Sequence, residues 1–221
     1  YGTAMEYFSL LSANGIDPYI QGKAASLRRA FEEFSLYRDG SPLHYQVLLS
    51  RSLLEIGYYE MAARVLEQVL DEKGDYRDAW IYFGYSQYVL GNFDLAETAF
   101  STALELYPSL PDTQFYLGIT KARLGKRTEA MTYLEQAKEN QYEPRRDVLE
   151  RLADLYVQTE QYDQALEIYN ELMGGQSTDM AYYVRPVWMY VDILKLPEEA
   201  LRVAKVSLET HPDDPMAYNL M

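Results

Sequence analysis

The chain has 221 residues, a net charge of −14 and no cysteine. The lack of cysteine excludes a disulfide framework, a thiolate zinc site and a cysteine nucleophile. The acidic balance argues against nucleic acid and anionic membranes as partners, because both repel a negative surface. No apolar run is long enough to insert into a membrane, and no secretory signal is present. The chain opens at Tyr1 rather than at Met, so we expect a processed or excised segment, cytoplasmic or exported as part of a longer chain.

Residues 1–40 are predicted to form an N-terminal helical cap. A short apolar stripe ends at Asn14-Gly15, and Asp17-Pro18 then has the chemistry of a helix N-cap followed by proline at the first helical position. The helix after it carries one apolar side, made of Ile20, Ala24, Leu27, Phe31 and Phe34. A degenerate copy of the helix pairs that follow is the alternative interpretation.

The stretch from Trp80 to Pro108 has the clearest pattern in the chain. Trp80, Phe83 and Gly84 are spaced as on one face of a helix, and Gly91-Asn92 interrupts the pattern. A second apolar stripe, through Ala96, Ala99, Phe100 and Ala103, ends at Pro108. This order resembles the tetratricopeptide repeat family, although Gln87 stands where that family usually has tyrosine. Gly84 and Ala96 are expected to let the two helices approach closely, with Phe83 and Phe100 filling the remaining volume.

The pattern recurs at steps of thirty-four or thirty-five residues. From Ala96 the step reaches Ala62, Ala130, Ala165 and Ala200; from Gly91, Gly57 and Gly125; and from Phe83, Leu49, Leu117, Leu152 and Val187. We therefore predict an all-α, right-handed α-solenoid of five tetratricopeptide-like repeats, over 43–76, 77–110, 111–145, 146–180 and 181–214. Residues 215–221 are predicted to start a further helix.

The fifth repeat departs from the pattern. Trp188 falls where a small residue is expected, and Pro186 lies inside the expected first helix. Either that helix begins late, near Pro186, or it is kinked there. Gly174-Gly175, just before this repeat, is predicted to end the preceding helix.

The sequence contains no recognisable catalytic, cofactor or metal motif. His44 and His211 are expected near opposite ends of the array, too far apart for a dyad or a metal pair. The acidic cluster around Asp71 and Asp75 lacks the ligand spacing of a calcium-binding loop. We therefore predict a protein that is not an enzyme and needs no cofactor.

The resemblance implies a concave groove lined by the first helix of each pair. Carried over residue by residue, the predicted partner-binding residues are Arg51, Ile81, Tyr85, Tyr88, Phe115, Ile119, Arg123, Glu150, Asp154 and Met189. Exposed aromatic side chains in such a groove would act as binding hot spots. The alternative is that they pack between repeats. The family's carboxylate clamp is absent, because Val47 and Arg51, and their equivalents, replace its lysine and asparagine.

These features predict a scaffold that binds a peptide or helical segment with apolar and basic residues. Two alternatives stay open. One is a self-assembly module, a homo-oligomer that stacks through its terminal repeat, where Tyr218 and Met221 are expected to be exposed. The other is the targeting arm of an enzyme encoded outside this segment.

Overall fold

A computed structural model describes residues 17–36, 41–174 and 179–221. Every regular element in these residues is a helix, which confirms the predicted all-α fold class. The chain divides into two compact units, Tyr1–Lys126 and Arg127–Met221.

The first unit consists of helices that pack in consecutive pairs. The helices are α1 (Pro18–Leu36), α2 (Pro42–Glu55), α3 (Tyr59–Glu72), α4 (Arg77–Val89), α5 (Phe93–Leu106) and α6 (Pro111–Arg123). Consecutive helices are in contact, and α4 also contacts both α2 and α6. Proline stands at the start of α2 and α6, and the Ser41 side chain accepts a hydrogen bond from the backbone N–H of His44. These are the signals that begin a helix.

The second unit is also built of helices that follow one another in pairs. Its helices are α7 (Arg127–Glu139), α8 (Arg145–Gln158), α9 (Tyr162–Gly174), α10 (Ala181–Trp188), a π-helix (Met189–Ile193), α11 (Pro197–Thr210) and α12 (Pro215–Asn219). The short α12 packs on α11, in the region where a further helix was expected to start.

Gly84 allows the close approach of α4 and α5 that the sequence predicts. A Cβ atom at this position would lie 2.7 Å from Cε1 of Phe100. Phe100 and Ala96 are fully buried, so the ring has no free space into which it can retreat.

The predicted N-terminal cap is only partly described. Its first stripe, Ala4 to Leu11, lies outside the described residues, as do the side chains of Phe31 and Phe34. Within α1, Ala24 is buried and Leu27 packs on the core of the first unit. The Asp17 carboxylate accepts a hydrogen bond from the backbone N–H of Tyr19, as a capping residue does.

The first helix of the fifth repeat does not begin late. It starts at Ala181, contains Pro186, and passes into the π-helix after Trp188. The buried residues of α10 and the π-helix, Tyr182, Tyr183, Pro186, Val187 and Met189, lie thirty-four residues after Val148, Leu149, Leu152, Ala153 and Leu155 of α8. Val187, and not Trp188, therefore occupies the position of the small residue.

One extra residue is accommodated inside the π-helix. At the end of α8 the backbone N–H of Thr159 donates to the carbonyl of Leu155, four residues earlier. In the fifth repeat the equivalent N–H, that of Leu194, donates to the carbonyl of Met189, five residues earlier. Glu160 and Lys195 then take the same left-handed backbone conformation, each with φ 58°. Equivalent residues of the two repeats are thus separated by thirty-four positions up to the π-helix and by thirty-five positions beyond it.

Candidate functional site

A groove in the first unit runs across α2, α4 and α6. Its volume is about 510 Å³, which lies in the range of ligand-binding pockets. It is lined by Arg51, Leu54, Glu55, Arg77, Asp78, Ile81, Tyr82, Tyr85, Leu110, Asp112, Thr113 and Tyr116.

Tyrosine rings form one wall of this groove and hold each other in place. The ring of Tyr85 lies 5.3 Å from that of Tyr116 and 6.4 Å from that of Tyr59, both edge to face. Tyr116 in turn stacks on Phe100 at 5.8 Å. Burial raises the pKa of Tyr82 and of Tyr85, so both hydroxyls keep their protons at neutral pH. The wall is therefore rigid, apolar in its rings and able to donate hydrogen bonds at its edges.

The charges of the groove are unevenly paired. Arg51 pairs with Glu55 at 3.7 Å, and Arg77 with Asp78 at 2.6 Å. Asp112, in the first turn of α6, makes no ion pair with any residue that the structure describes. The hydroxyl of Thr113 is buried and has no hydrogen-bond partner in the described part of the chain. The Asp112 carboxylate is thus left over for a ligand that donates hydrogen bonds.

Three of the predicted groove residues line this site: Arg51, Ile81 and Tyr85. Tyr88 packs on Phe93 at 5.6 Å, edge to face. The Arg123 guanidinium lies over the same Phe93 ring, 4.5 Å from its centroid. Ile119 is half-buried and, like these two, does not line the groove.

The prediction that Phe115 is exposed in a groove is wrong. Its side chain is 6% exposed and its ring packs edge to face on Tyr116 at 5.5 Å. Phe115 therefore supports the tyrosine wall from behind, and Tyr116 presents its own ring to the groove.

Glu150 and Asp154, the predicted acidic residues, line a smaller pocket of about 180 Å³ in the second unit. Both are engaged within the chain. Glu150 accepts a hydrogen bond from the hydroxyl of Tyr182, and Asp154 pairs with Arg185 at 3.1 Å. Burial and the hydrogen bond to Glu150 raise the pKa of Tyr182 to about 12. These two carboxylates are therefore not free charges.

Met189 is also misplaced by the sequence prediction. It is fully buried, because it occupies the position of buried Leu155 in the preceding repeat. Trp188, one residue earlier, corresponds to Asp154 and is 47% exposed.

Sequence reasoning missed four groove residues for which a signal exists. Tyr82 and Tyr116, and likewise Asp78 and Asp112, are separated by the same thirty-four residues as the core positions. The recurrence of a tyrosine and an aspartate at the repeat period would have identified Asp78, Tyr82, Asp112 and Tyr116.

The described residues carry no group of three His, Asp or Glu side chains that could hold a metal ion. His44 lies 3.0 Å from the hydroxyl of Tyr76, and His211 packs against Tyr183. No helix within residues 17–36, 41–174 and 179–221 has the length and hydropathy of a membrane span.

Apolar side chains in and just after the last helix are exposed to solvent. Met216, Tyr218 and Met221 are each at least half exposed, while Ala217 between them is buried against the core that includes Val203 and Ala204.

Solved structures with a similar fold include a tetratricopeptide repeat protein. YrrB, described as a tetratricopeptide repeat protein with an unusual peptide-binding site, is 16% identical, with a TM-score of 0.68 over 86% of this chain and 96% of that one. MamA from Desulfovibrio magneticus RS-1 is 17% identical, with a TM-score of 0.63 over 80% of this chain and 98% of that one. The type III secretion translocator chaperone SycD of Yersinia enterocolitica is 20% identical, with a TM-score of 0.51 over 53% and 86%.

A comparison with curated proteins finds no significant match. The tetratricopeptide repeat family model, by contrast, matches residues 47–111 and 116–179, more than half of the chain. Together with the paired helices and the close contact between Gly84 and Phe100, this match shows that the chain belongs to the tetratricopeptide repeat family.

Proposed function

We propose that this protein is a non-enzymatic scaffold and that the groove across α2, α4 and α6 binds a peptide or helical segment of another protein. The observation that carries the proposal is the tyrosine-walled groove with its one unpaired carboxylate, Asp112. Membership of a family of protein-binding repeats supports it. So does the likeness to YrrB, whose description names a peptide-binding site.

The groove favours a ligand that combines an apolar side chain with a basic one. Ile81, Leu54 and the ring of Tyr85 offer apolar surface, which a bound aliphatic or aromatic side chain would cover. Asp112 accepts hydrogen bonds from Lys or Arg, and nearby tyrosine faces attract the same cations. Arg51 and Arg77 repel a basic side chain only weakly, because each of them is paired with a carboxylate.

The charge of Asp112 provides the sharpest test. A random-peptide library is panned on the protein, and selected peptides are measured against Asp112→Lys and Asp94→Lys. Asp94 is the matched control, because it occupies the same helix position in the first turn of α5 but does not line the groove. We expect Asp112→Lys to weaken binding about tenfold or more, mainly by slower association, and Asp94→Lys to leave it unchanged. Equal binding to both variants would contradict the proposal.

Exposed apolar side chains at and after α12 favour a second candidate function, self-assembly. Met216, Tyr218 and Met221 are exposed apolar side chains that a second copy would cover. Molar mass measured over a hundredfold concentration range tests this: a constant monomer mass contradicts self-assembly, and a rise that Tyr218→Ala abolishes supports it.

A further inference from the structure

The side chain of Trp188 is exposed, and no contact with another described side chain explains why it is a tryptophan. It is 47% exposed. Among the described residues it stacks on no other ring, donates no hydrogen bond and lies under no Lys or Arg. Trp80, in contrast, donates its indole N–H to the carbonyl of Gly74 at 2.8 Å. Tryptophan is enriched among the residues that dominate binding interfaces, so a half-exposed indole with no partner in the described part of the chain is a candidate binding residue.

The backbone around Trp188 fixes the indole on the outside. Pro186, Val187 and Met189 are buried on either side of it in sequence. If Trp188 turned inward, these buried residues would have to move out. The change from α-helix to π-helix directly after Trp188 keeps Met189 in the core despite the extra residue that follows.

Two exposed residues of the π-helix that follows Trp188 in sequence add an apolar side chain and a negative charge. Val191, three residues further, is 43% exposed. Asp192, four residues further, is exposed and makes no ion pair with any described residue. Arg185, three residues before Trp188, is held by Asp154 at 3.1 Å and does not cover the ring. We refer to Trp188, Val191 and Asp192 as the Trp188 surface.

We propose that the Trp188 surface binds a Lys or Arg side chain of a protein partner. The indole face attracts the cation, Asp192 accepts its hydrogen bonds, and Val191 packs against the methylene groups of the same side chain. The chemistry is complementary: the surface offers an aromatic face and a free carboxylate, in a chain with a net charge of −14. This surface shares no residue with the groove of the first unit, so the two proposals can be tested independently.

Peptides selected from a random library on the full chain test the proposal. Each is measured against Trp188→Ala, Asp192→Lys, Asp112→Lys and Leu201→Ala, the last being a matched control with 40% exposure on α11. We expect one class of peptides, rich in Lys or Arg, to lose roughly tenfold in affinity with Trp188→Ala and with Asp192→Lys. The same class should bind Asp112→Lys and Leu201→Ala normally.

Fluorescence shows whether the indole itself is covered. In Trp80→Phe, Trp188 is the only tryptophan, and a peptide of this class should shift its emission to shorter wavelength and protect it from iodide quenching. If no selected peptide depends on Trp188, or if those that do are not basic, the proposal is wrong. Loss of binding to Asp112→Lys alone would support the groove and overturn the Trp188 surface.

Discussion

At the residue scale, the fold depends on one close contact that a single methyl group would disturb. Gly84 and Phe100 leave no room for a Cβ atom, whereas a Cβ at Gly22 in α1 would meet nothing within 4 Å. Both glycines lie in helices. Replacing each with alanine therefore separates the higher helix propensity of alanine from the steric effect of its methyl group.

We expect Gly84→Ala to destabilise the protein by about 1–3 kcal/mol, because the new methyl group overpacks the buried Phe100 ring. Gly22→Ala should instead stabilise it by about 0.5–1 kcal/mol, since alanine is the better helix former. Urea unfolding of both variants measures the difference. If Gly84→Ala were as stable as the parent, the close contact could not be the constraint described here.

Glu97 makes the stability of the first unit depend on pH. It accepts hydrogen bonds from Lys121 at 2.7 Å and from Lys126 at 2.7 and 2.8 Å, and Lys121 is almost fully buried. Burial alone would raise the pKa of Glu97, but these hydrogen bonds outweigh it and lower the pKa below its ordinary value of 4.5. The ion pairs therefore stabilise the fold fully above pH 4.5, and this contribution disappears as the pH falls through the lowered pKa.

Glu97→Gln should cost about 1–3 kcal/mol at pH 7, because it leaves the Lys121 ammonium buried without its counter-charge. The same change should flatten the loss of stability below pH 4.5. Glu105→Gln is the control: Glu105 is an exposed carboxylate on the same helix, with no ion pair to any described residue. Urea unfolding between pH 3 and pH 7 compares the three proteins. An unchanged slope in Glu97→Gln would show that other carboxylates carry the acid sensitivity.

At the element scale, the π-helix is a local insertion that leaves the neighbouring contacts in place. Residues before the π-helix lie thirty-four positions after their equivalents in the α8 repeat. Residues after the π-helix lie thirty-five positions after theirs. Removing one exposed residue from the π-helix should therefore restore an ordinary helical turn.

We expect deletion of Val191 to keep the fold, with a change of less than about 2 kcal/mol in stability. Deletion of Arg151, an exposed residue in the middle of α8, should be far worse. It rotates the buried residues on its two sides by about 100° relative to each other and should cost more than about 4 kcal/mol or prevent folding. Thermal unfolding followed by circular dichroism distinguishes the two. Equal damage from both deletions would mean that the π-helix is required by its surroundings.

The sequence predicts the contacts that recur with the period and misses those that depend on local detail. The contact between Gly84 and Phe100 is predictable, because a small and a large residue recur at fixed spacing within one helix pair. The position of the extra residue between Val187 and Ala200 is not, because the spacing alone is the same wherever the insertion falls. The ion pair of Asp154 with Arg185 was missed for another reason: it depends on side-chain directions across two successive first helices, which a one-letter pattern does not contain.

At the scale of the whole molecule, stability is expected to vary along the chain, because each helix contacts mainly its neighbours. Helix α8 packs against both α7 and α9, whereas the five-residue α12 packs mainly on α11. Helix α10 contains Pro186, which cannot donate a backbone hydrogen bond, and continues into the π-helix.

Hydrogen exchange followed by mass spectrometry should therefore show faster exchange in α10, the π-helix and α12 than in α8 of the same unit or α4 of the first unit. The reason is that helices with fewer packed neighbours and interrupted hydrogen bonding open at lower free energy. Peptides containing Val187 and Phe83 give the direct comparison, since both residues are buried core positions of a first helix. Deletion of Val191 should slow the exchange of α10 if the π-helix is the source of its opening. Exchange around Val187 as slow as that around Phe83 would show instead that the packing of Tyr183, Val187 and Ala204 fully offsets the interrupted helix.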